Sequence, residues 1–265
     1  MTALLAILTV VVAAGNVAHS QPRGVTLSFD VPQTVSLHEP VIFTYRLENR
    51  VGAPVAVDMG WDRIGVFVFS VTSPAGVVRE FRPMPVEGGS RTGLFELAPR
   101  ETYRQQAVLN RWFDFDAPGT YQIRIRVGPD MLSRMPPVTD FATEPLLELV
   151  VLPRDETRLT RTCQDLAEQA TTQYGEQRHE AGWALAYVRD RSCIPFLEVV
   201  IGSGNAAYSV MLDTLLKIGI PEARAAIERL ATHSTDWIAR NANLTLQRWK
   251  QLTAAAPTAS PAAPA

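Results

Sequence analysis

The hydrophobic pattern of this chain changes period at Pro153. Before it, apolar residues alternate with polar ones or form short β-branched runs; after it they recur at spacings of three and four. Val25, Leu27 and Phe29 alternate with polar neighbours, as do Val41, Phe43, Tyr45 and Leu47, which predicts strands with one face inward. The apolar run from Ile64 to Val71 predicts a central strand. Ser73-Pro74-Ala75-Gly76 then closes a hairpin onto Val77–Phe81, because Pro and Gly supply the fixed and the positive φ angles of a tight turn. Further strands are expected around Val55 and Val57, and at Phe95–Leu97, Tyr103–Leu109, Thr120–Val127 and Leu146–Leu152. So many short strands with turns between them predict two sheets packed face to face.

The second half reads as helices. Glu156–Tyr174 carries Leu159, Cys163, Leu166 and Ala170 at spacings of four, three and four, an amphipathic stripe. A shift of thirty positions then superposes Leu185 on Leu215, Val188 on Ile218, Leu197 on Ile227, Glu198 on Glu228 and Val200 on Leu230. A partial third copy spans Trp237–Trp249. Asp190 is placed to cap the helix carrying Pro195, and Gly202-Ser203-Gly204 and Gly219-Ile220-Pro221 separate the copies.

Ala117-Pro118-Gly119-Thr120-Tyr121 before the alternating Gln122–Val127 resembles the corner of immunoglobulin-like sandwiches, where a tyrosine hydrogen-bonds back across the turn. Leu97-Ala98-Pro99-Arg100-Glu101 is similar to the turn that opens an earlier strand in those domains, with Arg100 where glycine is usual. The layout of residues 40–127 also resembles bacterial proteinase-inhibitor-like sandwich domains, but Glu80-Phe81-Arg82-Pro83 stands where a Trp-rich stretch belongs, so no inhibitory loop carries over. Ala184-Leu185-Ala186 followed by Ile194-Pro195-Phe196-Leu197 is similar to HEAT repeats over about 177–250. The expected fold class is multidomain, β then α: an Ig-like antiparallel β-sandwich over 24–152, a linker at 153–155 and a small HEAT-like helical repeat domain over 156–252. Residues 253–265, rich in Ala and Pro, read as a disordered tail.

Leu4, Leu5, Ile7, Leu8 and Val10–Val12 form a short apolar core followed by small and polar residues, which reads as a signal peptide over 1–20, cut after Ser20 or after Ala18. A membrane span needs about 20 apolar residues, and this run breaks at Gly15-Asn16. Export to the periplasm or the extracellular space is expected, without stable membrane insertion after cleavage. In such a compartment the two cysteines, Cys163 and Cys193, invite a disulfide, with two buried thiols as the alternative. The net charge of −2 gives no electrostatic footprint for nucleic acid.

No catalytic, metal or cofactor set emerges. His179-Glu180 begins a zinc-helix pattern, but Trp183 stands where the second histidine is required. His38 and His233 lie at ligand spacing from nothing, Gly202-Ser203-Gly204 reads as a turn, and Asp114 with Asp116 does not amount to a calcium or acid–base site. Trp112, Phe113 and Phe115 read as core before they read as a sugar platform, since alternation at a strand end turns at least one ring inward. Two long loops, Pro83–Gly93 and Gly128–Pro145, stand out, and loops of that length are often functional. In the second, Met131, Met135 and Phe141 either form a partner-binding edge or fold down over the sandwich and its junction with the helices. The expected function is non-catalytic: recognition of a protein partner, or scaffolding, without cofactor. Proteinase inhibition by a sandwich loop and carbohydrate binding are the alternatives, the latter requiring Trp61 and Trp112 to be exposed. A hydrolase would need a cleft with converging polar residues.

Overall fold

The structure, a computed structural model, describes residues 25–60, 63–82, 93–127 and 145–255. The segments 1–20, 83–92, 128–144 and 256–265, with Trp61, Met131, Met135 and Phe141, therefore lie outside the described residues. The β half contains β1 (Val25–Asp30), β2 (Thr34–Ser36), β3 (Ile42–Asn49), β4 (Val55–Asp58), β5 (Phe67–Thr72), β6 (Val78–Phe81), β7 (Leu94–Leu97), β8 (Thr102–Val108), β9 (Gly119–Val127) and β10 (Leu146–Leu152). One sheet has the order β1-β3-β8, a second β2-β10-β9-β5-β6, and β4 pairs with β7 in a separate ribbon. β9 shows why: its residues alternate buried and exposed without a break, so Tyr121, Ile123 and Ile125 enter the core and Gln122, Arg124 and Arg126 stay outside. Phe43, Tyr45 and Leu47 of β3 meet Phe67 and Phe69 of β5 in the same core. Phe43 and Phe69 pack edge to face at 5.3 Å, the arrangement that ring quadrupoles favour.

Described strand pairs are antiparallel with one exception. β2 runs parallel to β10, Val35 opposite Val151, which corrects the expectation of an all-antiparallel sandwich. Val31-Pro32-Gln33 interrupts the first strand, and the chain resumes in the other sheet for only three residues, too few to show a period.

The corner tyrosine is buried, and its hydroxyl donates to the Ala117 carbonyl (3.1 Å) and accepts the Ala117 N–H (3.3 Å). Buried Asn49 does comparable work for the loops opposite, its amide donating to the carbonyls of Ala53, Leu97 and Ala98. Arg100, adjoining them, sits at φ +64°, the left-handed region that a Cβ disfavours.

Six α-helices follow among the described residues: α1 (Glu156–Thr172), α2 (Gly175–Ala186), α3 (Ile194–Gly202), α4 (Tyr208–Ile218), α5 (Pro221–Leu230) and α6 (Asp236–Ala255). α6 thus continues three residues into the segment read as tail. α1, α3 and α5 lie side by side in one layer and α2, α4 and α6 in another, each helix also packing on its chain neighbours. Leu185, Leu215, Val188, Leu197, Ile227, Val200 and Leu230, seven of the residues that superpose at a shift of thirty, are buried in a common core, with Ile218 packed against it. Asp155 caps α1, accepting the Arg158 N–H, while Pro195 and Pro221 open α3 and α5, where no amide is needed. Cys163 and Cys193 are bonded to each other, Cα atoms 5.5 Å apart, tying α1 to the turn that leads into α3.

The halves are joined by buried polar contacts. Glu39, 5% exposed, accepts hydrogen bonds from the Ser36 N–H (2.6 Å), Arg158 Nε (2.9 Å) and Thr162 Oγ1 (2.8 Å). Ser36 Oγ accepts the Asp155 N–H at 2.8 Å. Arg154, in the linker, grips Asp190 with two hydrogen bonds of 2.7 and 3.0 Å. Burial by itself pushes the Asp190 carboxyl up, but Arg154 and the N–H and hydroxyl of Ser192 overcome it and hold it down to about 2.

Arg100→Gly removes the left-handed strain and is expected to stabilise the protein by up to about 1 kcal/mol, read as a higher urea midpoint; a lower midpoint would contradict the assignment. Because the Asp190 carboxyl is depressed, its contribution of about 2 kcal/mol is complete above its ordinary value of 3.8 and fades as pH falls toward 2. The melting temperature of wild type should therefore fall more steeply across that window than that of Asp190→Asn, which starts lower at neutral pH.

Candidate functional site

α2 is buried on two sides, which explains why it shows no single apolar stripe. Ala181, Leu185 and their neighbours enter the helical core, whereas His179, Glu180, Trp183 and Tyr187 line a cleft against the β half. From the sheet, Ile42 and Val108, opposite each other in β3 and β8, pack on the helical core. The cleft lies between α2, β8 and the 3-10 turn Leu109–Arg111. Its free volume is about 70 Å³, room for one small ring and well below the roughly 300 Å³ at which pockets begin to hold whole small molecules.

Aromatic and cationic groups dominate its walls. His179, Trp183 and Tyr187 follow one another at intervals of four, which puts them along one face of the helix. Trp183 and Tyr187 are near-parallel, 18° apart with centroids at 6.3 Å, and His179 Nε2 accepts the Trp183 indole N–H at 2.7 Å. Across the cleft, the Arg111 guanidinium carbon lies 5.3 Å from the Trp183 ring and 5.6 Å from the Trp112 ring, within cation–π range of both. Trp112 lies near-parallel to Phe69 and Phe81, themselves opposite each other in β5 and β6.

Glu180 supplies the carboxylate. It is half-buried and accepts the backbone N–H of Gln106 in β8 at 3.1 Å. Burial pushes its carboxyl up against the opposing Gln106 hydrogen bond, and Glu176, one turn earlier, pushes the same way, with Arg104 opposing. Further along β8, Arg63 lies 5.2 Å from the rings of both Phe95 and Tyr103 and donates to the Tyr103 hydroxyl at 2.8 Å. The Tyr45 hydroxyl donates to the Arg63 carbonyl at 2.5 Å, and its burial raises that hydroxyl far above the usual phenol range.

The other sequence candidates stay apart. His38 lies in a turn at φ +76°, and His233 Nδ1 accepts the Thr235 N–H ahead of α6. Asp114 is exposed and faces Arg189 (3.1 Å) and Arg79 (3.7 Å). Phe113 and Phe115 are buried, and Trp112, half-buried, is engaged with Phe69 and Phe81 rather than offered as an open platform. Among the described residues no group of three His, Cys, Asp or Glu is placed to hold a metal ion, and no helix is long and apolar enough to cross a membrane. The cleft itself was readable as rings four apart on a helix; Trp183, which interrupts the zinc pattern, is its centre.

No protein-family model matches this chain, and no curated protein resembles it in sequence. Solved structures similar to part of it include the CARDB domain of a Pyrococcus furiosus protein in complex with di-metal ions, at 12% identity over 50% of this chain and 90% of that one, TM-score 0.29. Pseudomonas fluorescens alkylpurine DNA glycosylase matches at 14% identity over 50% and 31%, TM-score 0.27. Listeria innocua β-glucosidase matches at 10% over 48% and 16%, TM-score 0.25. Scores this low carry no argument about fold or activity.

Since burial raises the Glu180 carboxyl, its neutral form favours folding, and that advantage is lost as pH rises above the ordinary value of 4.5. Glu180→Gln is therefore expected to gain melting temperature on wild type between pH 4.5 and 7, and to lose the gain at more acidic pH. A gap independent of pH would show that the carboxyl titrates normally.

Proposed function

We infer that this is an exported, non-catalytic recognition protein, an immunoglobulin-like sandwich fused to a short HEAT-like helical stack, which binds a protein partner at the cleft between them. The apolar leader supports export, and a disulfide between Cys163 and Cys193 suits an oxidising compartment. The tyrosine corner at Tyr121 supports the immunoglobulin-like assignment, and the thirty-residue superposition with its two helix layers supports the HEAT-like one.

The observation that carries the recognition reading is the Trp183–Arg111–Trp112 constellation. Trp, Tyr and Arg in a partly desolvated slot are the side chains that dominate binding energy at protein interfaces. The slot has one carboxylate, in Glu180, and a histidine, His179, whose Nε2 accepts an indole N–H, which suits holding a peptide more than moving protons. Nothing in the charge favours nucleic acid as partner, and no cofactor is invoked.

The test is capture of envelope proteins by tagged mature protein, side by side with Trp183→Ala and with Leu244→Ala on the far helix. The expected result is a partner retained by wild type and Leu244→Ala and weakened about thirtyfold by Trp183→Ala. Equal retention by all three would remove the cleft from the interface.

A further inference from the structure

We propose that the cleft also takes the chain's own proline-rich segment, residues 256–265, in competition with its partner. This rests on the cleft being a peptide-binding slot. The segment Ala-Pro-Thr-Ala-Ser-Pro-Ala-Ala-Pro-Ala, 256–265, carries no charge and three prolines, and Pro261 and Pro264 are spaced by one turn of a polyproline II helix. Such helices dock on near-parallel aromatic rings that grip proline, with side-chain amides to meet the carbonyls between. The slot offers Trp183 and Tyr187 near-parallel, Gln105 and Gln106 along its β8 wall with their amides bonded to the Gln106 carbonyl and to Glu180, and free space sized for one ring.

Reach is the second support. α2, α4 and α6 run in the same direction: Asn205, before α4, bonds to the Arg178 carbonyl early in α2, Thr214 late in α4 bonds to the Ala186 carbonyl at its end, and Trp237 meets Tyr208 where α6 and α4 begin. Arg248 of α6 reaches Asp213 of α4 at 3.0 Å, and the Tyr187 hydroxyl, pushed up by its burial, feels the Asp213 charge in the same direction. Neighbouring helix axes lie about 8–10 Å apart and each residue adds about 1.5 Å of rise, so the end of α6 is roughly 23 Å from Tyr187. Ten residues of polyproline II span about 31 Å, which carries Pro264 to the slot with Pro261 one turn behind. A tethered segment acts at an effective concentration in the millimolar range and competes with a weak external ligand without any strong contact of its own.

The probe is a synthetic peptide of residues 256–265, titrated into full-length wild type, into Pro261→Ser/Pro264→Ser, and into that double variant carrying Trp183→Ala or, separately, Tyr187→Ala, with tryptophan fluorescence as readout and circular dichroism confirming fold. The expected result is binding on the order of tenfold tighter to the double variant than to wild type, and loss of binding on both aromatic substitutions. Equal affinity for wild type and double variant, binding that survives both substitutions, or no binding at all would overturn the proposal. If partner capture is lost on Trp183→Ala while the peptide binds wild type and double variant alike, the recognition reading stands and the internal competitor falls. If the peptide behaves as expected while capture is unaffected by Trp183→Ala, the reverse holds.

Discussion

The buried carboxylate of Glu39 is the interaction on which the arrangement of the two halves depends. A charge at that depth is tolerated only when each side of it is met by a donor, and here one donor comes from the sheet and two from α1. The contact is therefore directional: it is satisfied at one placement of the helices against the sheets and costly at others. The Arg154–Asp190 pair and the hydroxyl of Ser36 add constraints of the same kind, and the Gln106 N–H bond to Glu180 ties α2 to β8 beside the narrow slot. The slot is thus a product of how the halves are joined, and belongs to neither alone.

Much of the architecture was legible because burial imposes periodicity. β9 reads as a strand from its alternation alone, and α3 and α5 are visible as copies because Leu197 and Ile227 must fill equivalent places in a continuous core. What escaped was whatever periodicity does not encode. β2 is too short to have a period, and its parallel pairing is set by where β10 ends. α2 is buried on two faces, so its pattern is blurred, and the residues that make the slot are scattered over β8, the turn after it and a helix some seventy positions later. Glu39 gave no signal at all: a carboxylate between His38 and Pro40 looks like surface, and only the folded junction shows what it holds.

Arg100 illustrates how a sequence resemblance and backbone physics inform each other. Turns of this kind ordinarily use glycine where φ is positive, and the arginine here adopts that same conformation at φ +64°. The departure from the pattern leaves the turn intact and makes its conformation more costly, with the surrounding contacts of Asn49 holding it in place.

The parallel pairing of β2 with β10 has a mechanical consequence. β10 leads directly into the helices, and its bonds to β2 lie across the direction of any tension between the start of β2 and the end of β10. Such tension loads the three-residue ladder in shear, all bonds together, whereas the stacked helices beyond Asp155 can be peeled away one pair at a time. Under tension applied across both halves of the chain, the helical array would give way before the sheets, with the Cys163–Cys193 bond limiting how far its first turns can be drawn out.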